Sequence, residues 1–167
     1  MRSASRMNWK RWLAIPALLI VLFGIGGLVA SNVQTAVLEV SDNPPLHHRI
    51  VFQVNADDQV PMKHAVSNSI NLVRHYRELG EAARVEIVAY GDGISMFRAD
   101  ASPVRDILEY MRVNFPEIAF SVCGNTKTII EQREGHIMPL IEGTRVVPFG
   151  IVRLVELQEA GWSYIRP

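Results

Sequence analysis

Cys123 is the only cysteine in the 167-residue chain, and its surroundings suit thiolate chemistry. It ends the apolar run Ile118–Cys123 (IAFSVC) and precedes Gly124-Asn125-Thr126-Lys127, a segment fit to start a helix. A sulfur at a helix start meets unpaired N–H groups and the positive end of the helix dipole, and both favour the anion. Lys127, one turn further on, would add to this. Asp57, Asp58 and Asp92 would oppose it if they lie close, because a like charge disfavours ionisation. One cysteine forms no intramolecular disulfide, so the thiol is reactive, paired between molecules, or a small buried hydrophobe.

A second chemistry is open at the carboxylates. Asp57-Asp58 with Asp92 could hold Mg²⁺, as metal-dependent phosphotransfer or hydrolase domains do. The same residues also suit a helix cap and a Gly-Asp-Gly turn. Gly91-Asp92-Gly93 is too short for a dinucleotide fingerprint, and no HExxH, GxSxG or P-loop pattern occurs. His47 and His48 are adjacent, a poor arrangement for chelating one ion, and read as the solvated end of a spacer. His64, His75 and His136 are scattered, and His64 and His75, about three turns apart in the first helix, read as surface residues. No pattern calls for a cofactor or a resident metal.

The elements that would position these residues alternate between strand and helix. Arg49–Val54 reads as a strand, and a helix opens near Pro61 with Met62, Val66, Ile70, Val73 and Leu79 recurring at mostly three- and four-residue spacing and Gly80 at its close. Arg84–Tyr90 is a second strand, followed by the Gly91-Asp92-Gly93 turn. Ser102-Pro103 starts a helix that Pro116 ends. Ile118–Cys123 is the third strand, with a short helix after it ending near Gly135. Arg145–Pro148, Gly150–Ala160 and Trp162–Arg166 read as weak strand, helix and edge strand. This order predicts an α/β fold, a single parallel-sheet three-layer domain with right-handed crossovers. Open parallel sheets bind ligands outside the carboxyl ends of their strands. That rule gathers Asn55, Tyr90, Asp92, Gly124 and Asn125 as a candidate pocket around Cys123.

The N-terminus carries a different signal. Trp12–Ala30 is uncharged over 19 residues, enough at about 1.5 Å per residue to approach a hydrocarbon core of roughly 30 Å. Arg2, Arg6, Lys10 and Arg11 precede it, with no acidic residue before Glu39. This predicts an N-terminal hydrophobic helix over residues 1–30, either a transmembrane signal anchor or a cleaved signal peptide. Residues 31–48, with Pro44-Pro45, form a linker, and residues 49–167 form the domain. The domain would then face the periplasm or the outside, tethered to the inner membrane or released. Without those four basic residues, 13 basic face 17 acidic ones, a net charge of −4, which offers no footprint for nucleic acid.

Taken in order, RIVFQVNADD, VEIVAYGDGISMF, FSVCGNTK and VVPFGIVRLVELQEAGWSYIRP resemble the DsrE/DsrF-like family from Arg49 to Pro167. The most specific pieces are Val122-Cys123-Gly124-Asn125 and the C-terminal Glu156-Leu157-Gln158 … Gly161-Trp162 … Tyr164-Ile165-Arg166-Pro167. The resemblance implies a parallel α/β sheet and homo- or hetero-oligomers such as trimers and hexamers. It also implies a cysteine after a central strand that carries sulfur as a persulfide, and Cys123 is the matching position. Relay members are cytoplasmic, and their cysteine leads into a small-residue helix with a following arginine-glycine rather than Gly-Asn-Thr-Lys. The chain therefore looks like a broader, exported branch of that family. The function so implied is persulfide sulfur transfer with sulfur-donor and acceptor proteins as partners. The competing reading is a non-catalytic oligomeric binding or scaffold module with a structural cysteine.

Overall fold

In the computed structural model, which describes residues 47–167, β-branched and apolar residues concentrate in three strands that become the centre of one sheet. These are β1 (His47–Val54), β2 (Ala82–Ala89) and β3 (Ile118–Cys123). Two three-residue strands, β4 (Arg145–Val147) and β5 (Ser163–Ile165), close its edges. The order is β4-β3-β2-β1-β5, and every pairing is parallel. The apolar run Trp12–Ala30 and the spacer up to residue 46 lie outside the described residues. Among the described residues no helix is long and apolar enough to cross a membrane.

β1 includes the two histidines that were expected to close the spacer. His47 and His48 belong to β1, paired in register with Ala82 and Ala83. His48 is not solvated linker: its ring stacks on Tyr76 with centroids 3.6 Å apart, and Nε2 lies 2.7 Å from Glu81 Oε2. The strand continues backwards because the end of the first helix offers that ring a surface.

Helices cover both faces. α1 (Gln59–Glu78) and α2 (Arg105–Asn114) pack on one face, where Phe52, Ile87 and Phe120 meet Met62 and Val66 of α1 and Leu108 and Met111 of α2. Full burial of such side chains stabilises by about 1.5–3 kcal/mol each. α4 (Gly150–Glu159) lies on the other face, where a smaller cluster joins Val51, Val88, Leu154 and Leu157 with the half-buried Tyr90 and Trp162. α3 (Gly124–Glu134) follows β3 directly and ends at Gly135, whose φ of 74° is a left-handed cap.

Two local details differ from expectation. Ser102 does not cap the second helix: that helix begins at Arg105 with Val104 as an N-cap that has no side-chain cap bond, and Ser102 Oγ accepts from Val104 N–H at 3.3 Å in the turn before it while donating to the Met96 carbonyl. Gly91-Asp92-Gly93 is not an isolated turn; it opens a 3₁₀ segment, Gly91–Phe97, whose Ile94, Met96 and Phe97 enter the larger core. Gly93 is required there, since a Cβ would sit 2.5 Å from the Val54 carbonyl oxygen.

Candidate functional site

The pleat fixes where the cysteine goes. Residues alternate between faces along a strand, and parallel partners share a face. Cys123 pairs with Val147, so it stands with Ser121 and Ala119 on the α4 face, at the carboxyl edge of the sheet. Cys123 is also the N-cap of α3, and its Sγ accepts from Thr126 N–H at 3.5 Å.

A second helix starts at the same sulfur. Gly150, the first residue of α4, packs so closely that a Cβ there would lie 2.9 Å from Tyr90 Cβ and 3.2 Å from Cys123 Cβ. Only glycine lets the α4 backbone come this near. The two helix starts are tied to each other, because Asn125 N–H donates to the Pro148 carbonyl at 3.2 Å. Gly124 allows the same closeness on the other side, where a Cβ would meet Val147 O at 3.1 Å.

These contacts act on the charge state of the thiol. Burial pushes the Cys123 pKa up. The Thr126 hydroxyl and the N–H groups of Gly150, Thr126 and Asn125 pull it down, and the balance falls below the ordinary thiol value. Thr126 carries a second bond, since its Oγ1 accepts from Gly91 N–H at 3.2 Å. The hydroxyl proton is thereby free for the sulfur. Cys123 itself is 6% exposed, while Asn125, Pro148 and Phe149 around it are exposed. The arrangement can hold a sulfur anion under a thin cover.

Of the expected pocket residues, Gly124, Asn125 and Tyr90 come together at Cys123. Tyr90 packs on Gly150, and its hydroxyl accepts from Gln53 Nε2 at 2.5 Å, while Gln53 Oε1 accepts from the Tyr164 hydroxyl. The ring therefore acts as a wall with its polar end already engaged. Asn55 lies beside the 3₁₀ segment, where a Cβ on Gly91 would be 3.4 Å from its carbonyl oxygen. Asp92 is exposed in the first turn of that segment. Neither is among the groups that act on the sulfur.

Lys127 does not assist the thiolate as expected, because it pairs with Glu131 one turn along α3. The aspartates are committed to structure. Asp58 caps α1 by accepting from Val60 N–H at 2.9 Å, and Asp57 accepts from Ser95 Oγ at 2.7 Å. Among the described residues no three His, Cys, Asp or Glu side chains group to hold a metal ion.

Sequence reading passed over two features. Thr126 and Gly150 act on the sulfur, yet Gly150 is 27 positions from it, and only the β3–β4 pairing brings it there. Glu86 is 1% exposed in a strand otherwise built of small and apolar residues on its buried stretch. A carboxylate in the otherwise uncharged run VEIVAY was the signal available.

A solved structure resembles this chain over most of its length: the Protein of Unknown Function MTH1491 from Methanobacterium thermoautotrophicum. The two share 31% identity with a TM-score of 0.60, covering 72% of this chain and 99% of that one. No protein-family model matches the chain, and no curated protein matches it.

Proposed function

Since the chain belongs to the family of the MTH1491 protein, for which no function is stated, we propose one from the site itself: a thiol-based sulfur carrier of the DsrE/DsrF-like kind. The observation that carries this reading is the convergence of two helix starts on Cys123 Sγ, with the thiol pKa lowered as a result. Cys123 thiolate attacks a sulfane sulfur of a polysulfide or persulfide donor. A new S–S bond forms as the donor's S–S bond breaks, and the shortened donor leaves with the electron pair. No external oxidant is needed. An acceptor thiolate then takes the outer sulfur, and Cys123 departs as the thiolate. The N–H groups of Gly150, Thr126 and Asn125 are placed to steady the persulfide anion as they steady the thiolate. Donor and acceptor proteins, a homo-oligomeric state such as a trimer or hexamer, and export on the N-terminal apolar segment complete the proposal.

Mass spectrometry of the folded protein after polysulfide treatment is the test. Increments of about 32 Da, one sulfur atom, appear on Cys123 and disappear on reduction, because only a reactive thiolate accumulates persulfide. A folded protein that stays unmodified overturns the reading.

The burial of Cys123 favours a second reading, an oligomeric binding or scaffold module in which the sulfur only fills space. Under it, thiol reagents label Cys123 only on unfolding, and Cys123→Ser costs stability alone.

A further inference from the structure

Glu86 lies on the α4 face of the sheet, and apart from Cys123 it is the most consequential side chain there. Its carboxylate is saturated. Oε1 accepts from Ser121 Oγ at 2.7 Å and from Arg153 Nε at 2.9 Å; Oε2 accepts from Arg153 Nη2 at 2.9 Å and lies 3.2 Å from Arg145 Nη2. One buried acid thus orients two guanidinium groups. A cavity of about 480 Å³ opens beside this cluster, within the range of small-molecule sites, and Arg84, Arg145, Arg153 and Trp162 line it.

The charges facing the cavity do not cancel. Glu117, the other acid in its wall, is taken by Arg77 in a fork with bonds of 2.7–2.9 Å. Arg153 is matched by Glu86. Arg145 reaches only the already saturated Glu86 and keeps over half its side chain exposed. Arg84, exposed on β2, has no carboxylate partner among the described residues. Two guanidinium groups without a carboxylate of their own, Arg84 unpaired among the described residues and Arg145 sharing Glu86 with Arg153, therefore border a concave space that the small Ala119 also lines. Trp162 brings to the wall a flat apolar ring, held in place by the Val51, Val88, Leu154 and Leu157 cluster.

We propose that this cavity is a binding site for a small organic oxyanion with a planar apolar body, the anion taken by Arg84 and Arg145 and the body stacked on Trp162. Arginine forks match carboxylate and phosphate geometry with paired hydrogen bonds, and an indole offers a stacking face. The Glu86–Arg153–Ser121 cluster is the rigid base that holds the fork open. The site is separate from the thiol: the cavity is lined by Pro116, Glu117 and Ala119 at the amino end of β3, whereas Cys123 is the last residue of that strand.

The test uses the full-length chain in detergent with Trp9→Phe and Trp12→Phe, so that Trp162 is its single indole. Phenyl phosphate and benzoate quench Trp162 saturably at about 0.1–1 mM, and inorganic phosphate binds more weakly by calorimetry. Arg84→Gln and Arg145→Gln, both at exposed positions, each weaken phenyl phosphate by about tenfold. Trp162→Leu brings phenyl phosphate down to the affinity of inorganic phosphate. Absence of saturable binding up to about 10 mM overturns the proposal, as does an affinity in both arginine variants unchanged from that of the parent chain. A Trp162 that acrylamide cannot reach in the native protein also overturns it, because another chain then fills the cavity.

Discussion

Thr126 does two things with one hydroxyl. It takes the N–H of Gly91, which leaves its own proton for Cys123, so the turn after β2 and the thiol after β3 share a single side chain. Removing that hydroxyl costs the sulfur a donor and strands the Gly91 N–H. Thr126→Val therefore raises the thiol pKa. The rate of iodoacetamide labelling against pH moves to higher pH, and labelling near neutrality slows relative to its high-pH plateau. Gly150→Ala moves the profile the same way through a different atom, because the added Cβ must push α4 off both Tyr90 and Cys123. A profile unchanged in both variants removes the two-helix account of the site.

At the scale of elements, β2 shows why one charged residue can sit in a buried strand. Burial pushes the Glu86 pKa up, but the hydrogen bonds from Arg153 and Ser121 and the charges of Arg153 and Arg145 outweigh it, and the net direction is down. A carboxylate whose folded pKa is depressed contributes stability that is present above its unfolded value, about 4.3, and is lost as pH falls through the folded one. Glu86→Gln costs about 1–3 kcal/mol at neutral pH and flattens the acid limb of the stability curve, read by urea unfolding between neutrality and about pH 3. An acid limb identical to that of the parent chain would assign the loss of stability elsewhere.

The strands were legible for the same reason that Glu86 was not. Ile118–Cys123 is uniformly apolar apart from a serine, bounded by Pro116 and Gly124, and its limits follow from those residues alone. The partners of Glu86 lie on β3, β4 and α4, and no spacing in the chain announces them. Cys123 was legible as a strand end, and Gly124 and Asn125 came with it. Gly150 was visible as the start of a helix, but its approach to the sulfur depends on strand order, which local pattern does not encode. His48 was misread because its stacking partner, Tyr76, lies at the far end of a 20-residue helix.

For the whole molecule, α4 presents an unusual outer surface. Ile151, Val152 and Val155 are all about half exposed on one helix, with Phe149 just before it. Apolar side chains grouped this way on a surface mark a contact with something else. The proposed homo-oligomer supplies a partner, and the patch sits at the end of the fold where Cys123 lies. Full-length protein in detergent therefore sediments as a multimer, and Ile151→Glu with Val155→Glu reduces it to the monomer while leaving the circular dichroism spectrum intact. A parent chain that already sediments as a monomer removes oligomerisation from the proposal.

The placement of β5 has a temporal consequence. β1 is the first described strand, yet one of its two edges is covered only when Ser163–Ile165 docks beside Ile50–Phe52, from almost the last residues of the chain. Contacts so distant in sequence form late and slow the search for the native topology. Until then β1 carries an open row of N–H and C=O groups, the kind of edge on which strands from other chains add. The final three-residue strand thus serves as a lid on the oldest part of the sheet, and a chain that loses its last few residues keeps its thiol but leaves that edge uncovered.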